Sequence, residues 1–421
     1  MTLSRQALID DVRQHAFAPG NAPLRLGAEV ELIPVEARTR RPASIRPIDG
    51  GPATLPVLQS LGRRLGWTEA LSSKAGVPEF HTRDGGRITF EPGGQIEFSA
   101  PPAPSLGALL ASLTCTTDQL RSALASAGID TLTVGLDPLN RIDDTPLQLS
   151  APRYARMDAH FARIGPHGAR MMRQTASIQV CVDAGPQPDE RWALLNALTP
   201  YVVSMFANSP VYEGAATGHQ STRRGIWGAL DPSRTGVAIG AGDDPAIAYA
   251  DFALGARTIL LGEGDRASAP FAEFLGATRV NTDDWHTHLS TLFPEVRPRG
   301  YFELRSCDAL PPECYVAPLL FVAALAYGPD QGHTAREIAG TPSNALLERA
   351  GRCGMNDPAI AQRCTELADL ALREAQALAN DNGFIDGDAL ERADDFFQQY
   401  TRVQRAPAHD ILAPLPLPAL A

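Results

Sequence analysis

Four segments of this chain place polar side chains at alternate positions, with apolar side chains between them. In the first segment, Glu29 and Glu31 alternate with Val30 and Leu32. Because successive side chains of a strand point to opposite faces, this pattern predicts a strand with one acidic and one apolar face. A similar alternation recurs in residues 95–98, 177–183 and 301–305. Glutamate is a poor strand former, so acids on several strands indicate a functional site and not only a solvent-exposed face.

The predicted strands lie far apart in the chain, and helical stretches separate them. Leucine recurs at a roughly helical spacing over residues 106–127, and residues 345–404 are rich in alanine and predict a helical tail. We therefore predict an α+β fold whose antiparallel sheet is open to a ligand on its polar face and is packed by helices on the other. The glycine-rich residues 214–242 lack periodicity and predict an extended loop.

Composition and charge exclude several classes of protein. Hydrophobic residues make up 44% of the 421 residues, which excludes a mainly disordered chain. The net charge of −11 disfavours nucleic acid and anionic membranes as partners. The longest apolar run, around residues 315–327, is too short to span a bilayer, and the polar N-terminus predicts no signal peptide. The cysteines form no CxxC pair, so we expect reduced thiols in a cytoplasmic protein.

A single lysine, Lys74, narrows the chemistry further. A P-loop is excluded, because its GxxxxGK pattern does not occur. A Schiff-base mechanism has only this candidate, which lies in a polar, loop-like stretch. Recognition of phosphate or carboxylate must therefore come from arginine, metal ions or backbone N–H groups.

The acidic segments predict a site for hard cations. Their glutamates would repel one another if a sheet gathered them without a counter-ion: Glu29, Glu31, Glu91, Glu97 and Glu303. Mg²⁺ suits carboxylate oxygen and usually takes a few carboxylates together with substrate phosphates. We therefore infer a Mg²⁺-dependent phosphoryl-transfer site, with Arg305 neutralising the transferred phosphate. The alternative is a solvated polar face, which antiparallel sheets often have.

Other polar clusters are weaker candidates. The arginines of the glycine-rich stretch could bind a carboxylate through paired hydrogen bonds. The alternative is that this stretch is a solvated surface loop. Residues 283–288 offer two acids and two histidines, but a zinc site there lacks further convincing ligands. Cys307 and Cys314 have no identifiable base that would activate a nucleophile.

Taken in order, these segments resemble the glutamate–cysteine ligase family of plants and bacteria, which includes the ergothioneine-pathway ligases of actinobacteria. The resemblance runs from about residue 24 to 325, and its most specific motif is Glu91-Pro92-Gly93-Gly94-Gln95-Ile96-Glu97. The other motifs lie at residues 27–31, 175–180, 206–210, 223–236, 284–297 and 301–305.

This resemblance implies a glutamine-synthetase-like fold: a curved, mostly antiparallel sheet with helices on its outer face and ATP, Mg²⁺ and glutamate on its concave face. ATP would phosphorylate the γ-carboxylate of glutamate, and the amine of cysteine would attack the γ-glutamyl phosphate. The product, γ-glutamylcysteine, would serve glutathione or ergothioneine biosynthesis. We expect a single catalytic domain over residues 1–421, with the active site in residues 24–330 and a helical extension at 331–421.

The resemblance also assigns roles to residues of the motifs. Arg305 and Glu303 would be catalytic, with Arg305 on the transferred phosphate. Arg223 would bind the α-carboxylate of glutamate, and Trp227 would shape its pocket. The remaining contacts to substrate or nucleotide would come from Gln95, Gln179 and Arg234. The Mg²⁺ ligands would be Glu29, Glu31, Glu91, Glu97 and Glu303.

Two departures from the plant pattern bear on the acceptor amine. Residues 174–180 are closer to the actinobacterial branch, and residues 307–310 replace the plant sequence Ala-Asp-Gly-Gly. Both lie near where the acceptor might be expected to bind, so a ligase with another amine acceptor is a first alternative. A second is a non-catalytic binder of glutamate or nucleotide, against which Arg305 and the acids argue. A hydrolase that uses paired carboxylates is a third, but it needs fewer acids.

Overall fold

The computed structural model describes residues 3–20, 24–72, 76–238, 244–262, 268–277 and 280–413. Lys74 and the end of the predicted glycine-rich loop, residues 239–242, lie outside the described residues. The strands are β1 (Leu26–Glu36), β2 (Thr68–Leu71), β3 (Pro78–His81), β4 (Arg87–Phe90), β5 (Ile96–Ser99), β6 (Ile129–Leu132), β7 (Ser177–Asp183), β8 (Val211–Tyr212), β9 (Ala215–Ala216), β10 (Thr235–Gly236), β11 (Phe293–Pro294), β12 (Val296–Pro298) and β13 (Tyr301–Asp308).

One nine-stranded sheet dominates this part of the chain. Its spatial order is β12-β13-β7-β1-β5-β4-β3-β2, and β6 pairs with the far end of β1. Its described strand pairs are all antiparallel. The short β10–β11 pair is parallel and lies outside this sheet. The predicted antiparallel sheet is therefore confirmed.

The register of β1 gathers the polar side chains on one face. Glu31 lies opposite Glu97 of β5, and Glu29 lies opposite Gln179 of β7. Next to this pair, Glu303 of β13 lies opposite residue 181 of β7. Directly opposite residues of an antiparallel pair point to the same face, so these carboxylates share one side of the sheet.

The helices are α1 (Arg5–Ala16), α2 (Thr54–Leu65), α3 (Leu106–Ser126), α4 (Pro152–Ala162), α5 (His167–Gln174), α6 (Pro188–Met205), α7 (Thr222–Leu230), α8 (Pro245–Gly255), α9 (Thr282–Leu289), α10 (Val316–Tyr327), α11 (His333–Ala339), α12 (Asn344–Cys353), α13 (Pro358–Asn382), α14 (Gly387–Gln399) and α15 (Ala408–Leu412). None of those described is both long enough and apolar enough to cross a membrane.

The apolar face of the sheet forms the main core. Val30, Ile178, Val180 and Leu304 are buried there. Helix α10 contacts β7, α6 contacts β13, and α3 contacts β1 and β5. Every residue of α10 is buried, because α13 and α14 pack on it from outside. Burial of this apolar surface holds the sheet and leaves its polar face for α4, α5 and α7.

The prediction of an extended loop at residues 214–242 is wrong for residues 222–230, which form helix α7. Gly225 and Gly228 lower the helix propensity of this segment and hide it from a search for periodicity. Two contacts compensate. The Ser221 hydroxyl caps the helix by accepting a hydrogen bond from the Arg224 N–H at 3.1 Å. On α12, a Cβ at Gly351 would lie 2.9 Å from the Arg224 side chain, so glycine allows the close packing of these helices.

The turn between β4 and β5 is packed tightly against α5. Gly94 has a φ of 96°, which glycine adopts without strain. A Cβ at the neighbouring Gly93 would collide with the backbone of Arg173 at the end of α5. This turn therefore fixes the distance between the hairpin that carries Glu91 and Glu97 and the helix across from it.

We expect Gly93→Ala to lower the free energy of unfolding by about 1–3 kcal/mol, because the new methyl group has no room beside the Arg173 backbone. Urea unfolding of the purified protein measures this change. Gly387→Ala is the matched control, since a Cβ there meets no atom within 4 Å at the start of α14. Equal stability of the two variants would contradict the tight packing.

Candidate functional site

A cavity of about 260 Å³ lies over the polar face of the sheet. The sheet contributes charged and amide side chains: Arg87, Glu29, Glu31, Glu97, Gln179, Arg297, Arg299 and Arg305. Helices α4, α5 and α7 contribute the opposite wall: Arg153, Tyr154, Met157, Met171, Met172 and Trp227. Glu91 and Gln95 line it from the β4–β5 turn. The cavity therefore combines residues of most of the sequence motifs.

Four glutamates of this cavity have a raised pKa, mainly because they are buried. Burial, followed by the charges of Glu97 and Glu303, raises the pKa of Glu29 to about 8. Burial and the neighbouring carboxylates likewise raise the pKa of Glu91 and of Glu97. Burial also raises the pKa of Glu31, although arginines oppose it. A cation bound here would relieve this repulsion.

Glu303 has the opposite environment. Its carboxylate accepts hydrogen bonds from Arg297 at 2.7 and 3.0 Å and from Arg299 at 3.4 Å, and it also pairs with Arg305. Burial opposes ionisation, but the charges of Arg297, Arg305 and Arg299 outweigh it and lower the pKa of Glu303 to about 2. Glu303 can bind a metal ion only in exchange for one of these arginine contacts.

A relay of hydrogen bonds joins the two halves of the site across three strands. The Gln179 Nε2 donates to Glu31 at 3.4 Å, and its Oε1 accepts from Arg305 at 2.5 Å. Arg305 in turn pairs with Glu303. Glu31 also accepts from the backbone N–H of Ser177 at 2.7 Å. Gln179 therefore holds a carboxylate and a guanidinium at fixed positions in the cavity.

Several arginines keep unused donors in this region, among them Arg297 and Arg305. The Nε atoms of Arg297 and Arg305 are buried and have no hydrogen-bond partner in the protein. Unsatisfied buried donors are rare in folded proteins and mark places where a ligand or water belongs. Charged donors favour phosphate and carboxylate oxygens. The arginine side of the cavity therefore fits an anionic substrate.

The acidic side of the cavity fits Mg²⁺. Among the described residues, its glutamates form no group of three whose ligand atoms lie within 4.8 Å of one another. Mg²⁺ does not need such a cage, because it is usually bound by one or two carboxylates, water and substrate phosphates. The residues present, and the raised pKa values of Glu29, Glu31, Glu91 and Glu97, suit that mode of binding.

Gln95 lines the cavity, but its amide is engaged within the protein. Its Oε1 accepts a hydrogen bond from the Gly93 N–H at 3.0 Å, and its Nε2 donates to the Thr175 carbonyl at 2.9 Å. It therefore joins the β4–β5 turn to Thr175, two residues before β7. Its contact with substrate or nucleotide stays a prediction.

Arg223 and Trp227 lie side by side on α7. The Arg223 guanidinium carbon is 4.7 Å from the centre of the Trp227 ring, and its Nη2 donates to the Arg305 carbonyl at 2.9 Å. Trp227 lines the cavity, whereas Arg223 lies behind it and is 4% exposed. Binding of a substrate carboxylate by Arg223 therefore stays a prediction. Its contacts in the structure support Arg305 and Trp227.

Asp308 is a buried anchor that the sequence motifs did not reveal. Its carboxylate accepts hydrogen bonds from the Asn208 N–H at 2.8 Å and from the hydroxyls of Ser209 at 2.7 Å and Ser221 at 2.9 Å. It thereby connects β13 to the cap of α7. The departure from the plant pattern at residues 307–310 lies in this buried region, and none of these residues lines the cavity.

Arg234 is not part of the cavity. It is fully buried, and its Nε donates to Asp231 at 2.8 Å and its Nη1 to the Thr291 carbonyl at 2.9 Å, while its Nη2 donates to the carbonyl of Arg257. This geometry does not support the sequence-based assignment of Arg234 to substrate binding. Every nitrogen of its guanidinium is used to join separate segments.

Sequence reasoning missed several residues of the cavity. Arg297 offered a signal, because it alternates with Val296 and Pro298 and lies opposite Glu303 in the hairpin of β12 and β13. The apolar wall gave no such signal, since methionine and tyrosine at helical spacing are typical of an ordinary core. Its members come from α4 and α5: Tyr154, Met157, Met171 and Met172.

Comparison with known proteins places this geometry in a family. Residues 25–393 match the profile described as glutamate–cysteine ligase family 2 (GCS2). Over 365 residues, the chain is 34% identical to glutamate–cysteine ligase EgtA of Mycolicibacterium smegmatis, covering 83% of this chain and 82% of that protein. It is 29% identical over 321 residues to the chloroplastic glutamate–cysteine ligase of Arabidopsis thaliana, covering 73% of this chain and 60% of that protein.

A solved structure shares the fold. The crystal structure of glutamate–cysteine ligase from Francisella tularensis in complex with AMP superposes with a TM-score of 0.54 at 12% identity, covering 94% of this chain and 85% of that one. At this identity the likeness concerns the fold alone, and it confirms the fold that the resemblance implied. Given the profile match over most of its length, the chain belongs to glutamate–cysteine ligase family 2.

Proposed function

We infer that this protein is an ATP-dependent ligase that joins the γ-carboxylate of glutamate to the amine of cysteine, giving γ-glutamylcysteine, ADP and phosphate. The observation that carries this inference is the pairing, in one cavity, of charge-deficient glutamates with arginines that keep unused donors. The similarity to relatives named glutamate–cysteine ligase supports the choice of substrates.

In the first step, the γ-carboxylate of glutamate attacks the γ-phosphorus of ATP, and the bond between that phosphorus and the β,γ-bridging oxygen breaks. Negative charge gathers around the transferred group during this step. We propose that Arg305 neutralises it, because Arg305 lies in the cavity and is held by Gln179 and Glu303. Arg297 also donates to Glu303, at 2.7 Å, and offers a second charge.

In the second step, the amine of cysteine attacks the carbonyl carbon of γ-glutamyl phosphate. A C–N bond forms, the C–O bond to phosphate breaks, and the amine loses a proton. Carboxylates that line the cavity and do not hold the cation can accept this proton. We assign this step to the acidic side of the cavity.

We propose Mg²⁺ as the cation, with its protein ligands drawn from Glu29, Glu31, Glu91 and Glu97, and from Glu303 when an arginine releases it. When bound, the ion would neutralise phosphate oxygens and position ATP. The support comes from the mutual repulsion of these acids. We also propose a cytoplasmic location, since the six cysteines are free thiols, as in a reducing compartment.

The first prediction concerns substrates. Phosphate release by the purified protein with Mg²⁺ and ATP should require both glutamate and cysteine, and mass spectrometry should detect γ-glutamylcysteine. If phosphate release needs glutamate but is equally fast with other amines, cysteine is not the specific acceptor. No release by the folded protein under any of these conditions would favour a non-catalytic binder.

A second prediction concerns Arg305. We expect Arg305→Gln to lower kcat by about 10²- to 10³-fold, as loss of a donor to developing charge does. Arg63→Gln is the control, because Arg63 is an exposed arginine of α2 and should keep the normal rate. Steady-state assays of both variants measure the effect. A similar kcat in both variants would show that Arg305 does not take part in the reaction.

A third prediction concerns pH and metal. The pKa of Glu29 is raised from 4.5 to about 8 in the folded chain, so the folded state binds more protons than the unfolded state between these values. In chelator, the free energy of unfolding should therefore fall as pH rises through this window, and Mg²⁺ should restore it at the upper end.

Urea unfolding across this pH range, with chelator or with Mg²⁺, measures both effects. Glu29→Gln should flatten the pH dependence, because the variant cannot ionise at this position. Glu348→Gln, at an exposed position on α12, should leave it unchanged. A stability that rises with pH in chelator, or a Glu29→Gln variant with an unchanged slope, would contradict the charge-deficient site.

A further inference from the structure

A second group of metal-ligating side chains lies outside the sheet, between α1 and α9. Among the described residues, Asp11, His15 and His286 are the only three acidic, histidine or cysteine residues whose ligand atoms all lie within 4.8 Å of one another. Asp11 and His15 are four residues apart on α1, so they share one face of that helix. His286 comes from α9 and is 275 positions from Asp11 in the sequence.

The histidines of residues 283–288 divide between two uses. His288 is buried and its Nε2 contacts the carbonyl of Ala253 at 2.8 Å, so it belongs to the core. Asp284 accepts a hydrogen bond from the Asn281 N–H in the capping box of α9. His286 is left pointing toward α1. The sequence analysis found no further ligands for a zinc site within residues 283–288. In the structure, the side chains that accompany His286 come from α1.

The distances within the group suit a small cation. The Asp11 carboxylate oxygens lie 3.1 Å from the His15 Nδ1 and 3.1 and 3.2 Å from the His286 Nε2. Ligand atoms that surround a tetrahedral zinc ion at about 2.0–2.1 Å are about 3.3 Å apart. The histidine rings meet edge to face, with centres 5.9 Å apart, and their ligand nitrogens lie within 4.8 Å of each other.

The carboxylate of the group is oriented by a neighbour. The Trp285 Nε1 donates to Asp11 at 3.2 Å, and the Trp285 side chain is fully buried. The Asp11 side chain is only 13% exposed, whereas those of His15 and His286 are 60% and 47% exposed. Carboxylates that bind a metal ion are commonly held by such hydrogen bonds.

The open side of the group faces a cavity of about 280 Å³, which Tyr249, Arg297 and Arg299 also line. Arg297 and Arg299 also line the ligase cavity and pair with the buried Glu303 behind it, so the two cavities share one wall. Three protein ligands leave a coordination position open for water or an anion. The two arginines supply positive charge for such an anion.

We propose that Asp11, His15 and His286 bind one divalent transition-metal ion of the zinc class and thereby fasten α1 to α9 beside the active-site arginines. Two imidazoles and one carboxylate favour zinc over Mg²⁺, which prefers oxygen ligands. The proposal is independent of the ligase function. Without a metal, the same atoms would form only hydrogen bonds between the histidines and Asp11.

Binding of Zn²⁺ to the metal-free, full-length protein tests the proposal. The titration is done in competition with a chromophoric chelator and in saturating Mg²⁺, which occupies the glutamates of the ligase cavity. We expect one tightly bound equivalent of Zn²⁺. Asp11→Asn and His286→Ala should each weaken it by at least about 10- to 100-fold, since even a lost neighbour of a ligand costs this much.

His81→Ala is the matched control. His81 also lies beside a carboxylate, with its Nε2 3.2 Å from Glu79, but no third ligand accompanies this pair among the described residues. Its Zn²⁺ affinity should equal that of the unmodified protein. Co²⁺ in place of zinc should give the visible absorption of a low-symmetry site in the unmodified protein and in His81→Ala, and not in His286→Ala.

Absence of tight Zn²⁺ binding in the unmodified protein, or equal binding in His286→Ala and the control, would overturn the proposal and leave a hydrogen-bonded contact between two helices. Thermal unfolding in chelator shows whether each variant folds. His15→Ala, at the most exposed of the three positions, serves if His286→Ala does not fold. It should lose Zn²⁺ affinity to a similar extent.

Discussion

The crowding of carboxylates on one face of the sheet is the constraint on which the site depends. Antiparallel pairing of β1 with β5 and β7 brings Glu31 opposite Glu97 and Glu29 opposite Gln179. Since like charges at such distances repel, the face is stable only if protons, arginines or cations compensate them. The apolar side of the same strands is buried under α3 and α10, so the sheet cannot rearrange to separate the acids.

Positive charge compensates these carboxylates unevenly, so the two ends of the cavity differ in charge. Three arginines surround Glu303 and keep it ionised, whereas Glu29 and Glu97 are left with raised pKa values. One end of the cavity can therefore receive an anion and the other a cation. A nucleotide triphosphate with its metal ion carries both charges, and a ligase that activates a carboxylate with ATP needs both ends close together.

Buried polar contacts hold the charged groups in place. Asp308 ties β13 to the N-terminus of α7, and Arg223 on that helix donates to the carbonyl of Arg305. Gln95 ties the β4–β5 turn to the start of β7. Gln95 and Arg223 belong to the motifs that carry the resemblance, yet their visible contacts are with the protein itself. A motif residue near a site can thus serve by positioning others, as Arg234 also does from outside the cavity.

The sequence by itself determined the faces of the strands, because a period of two needs no knowledge of what packs on the sheet. It thereby predicted that the strand glutamates lie on the polar face, and the order of motifs identified the family. It failed where the decisive contact is remote. Helix α7 depends on packing against Gly351, and the contact between His286 and Asp11 joins residues 275 positions apart. The tertiary structure alone decided which charges are neutralised, since electrostatic compensation depends on distance in space and not on spacing along the chain.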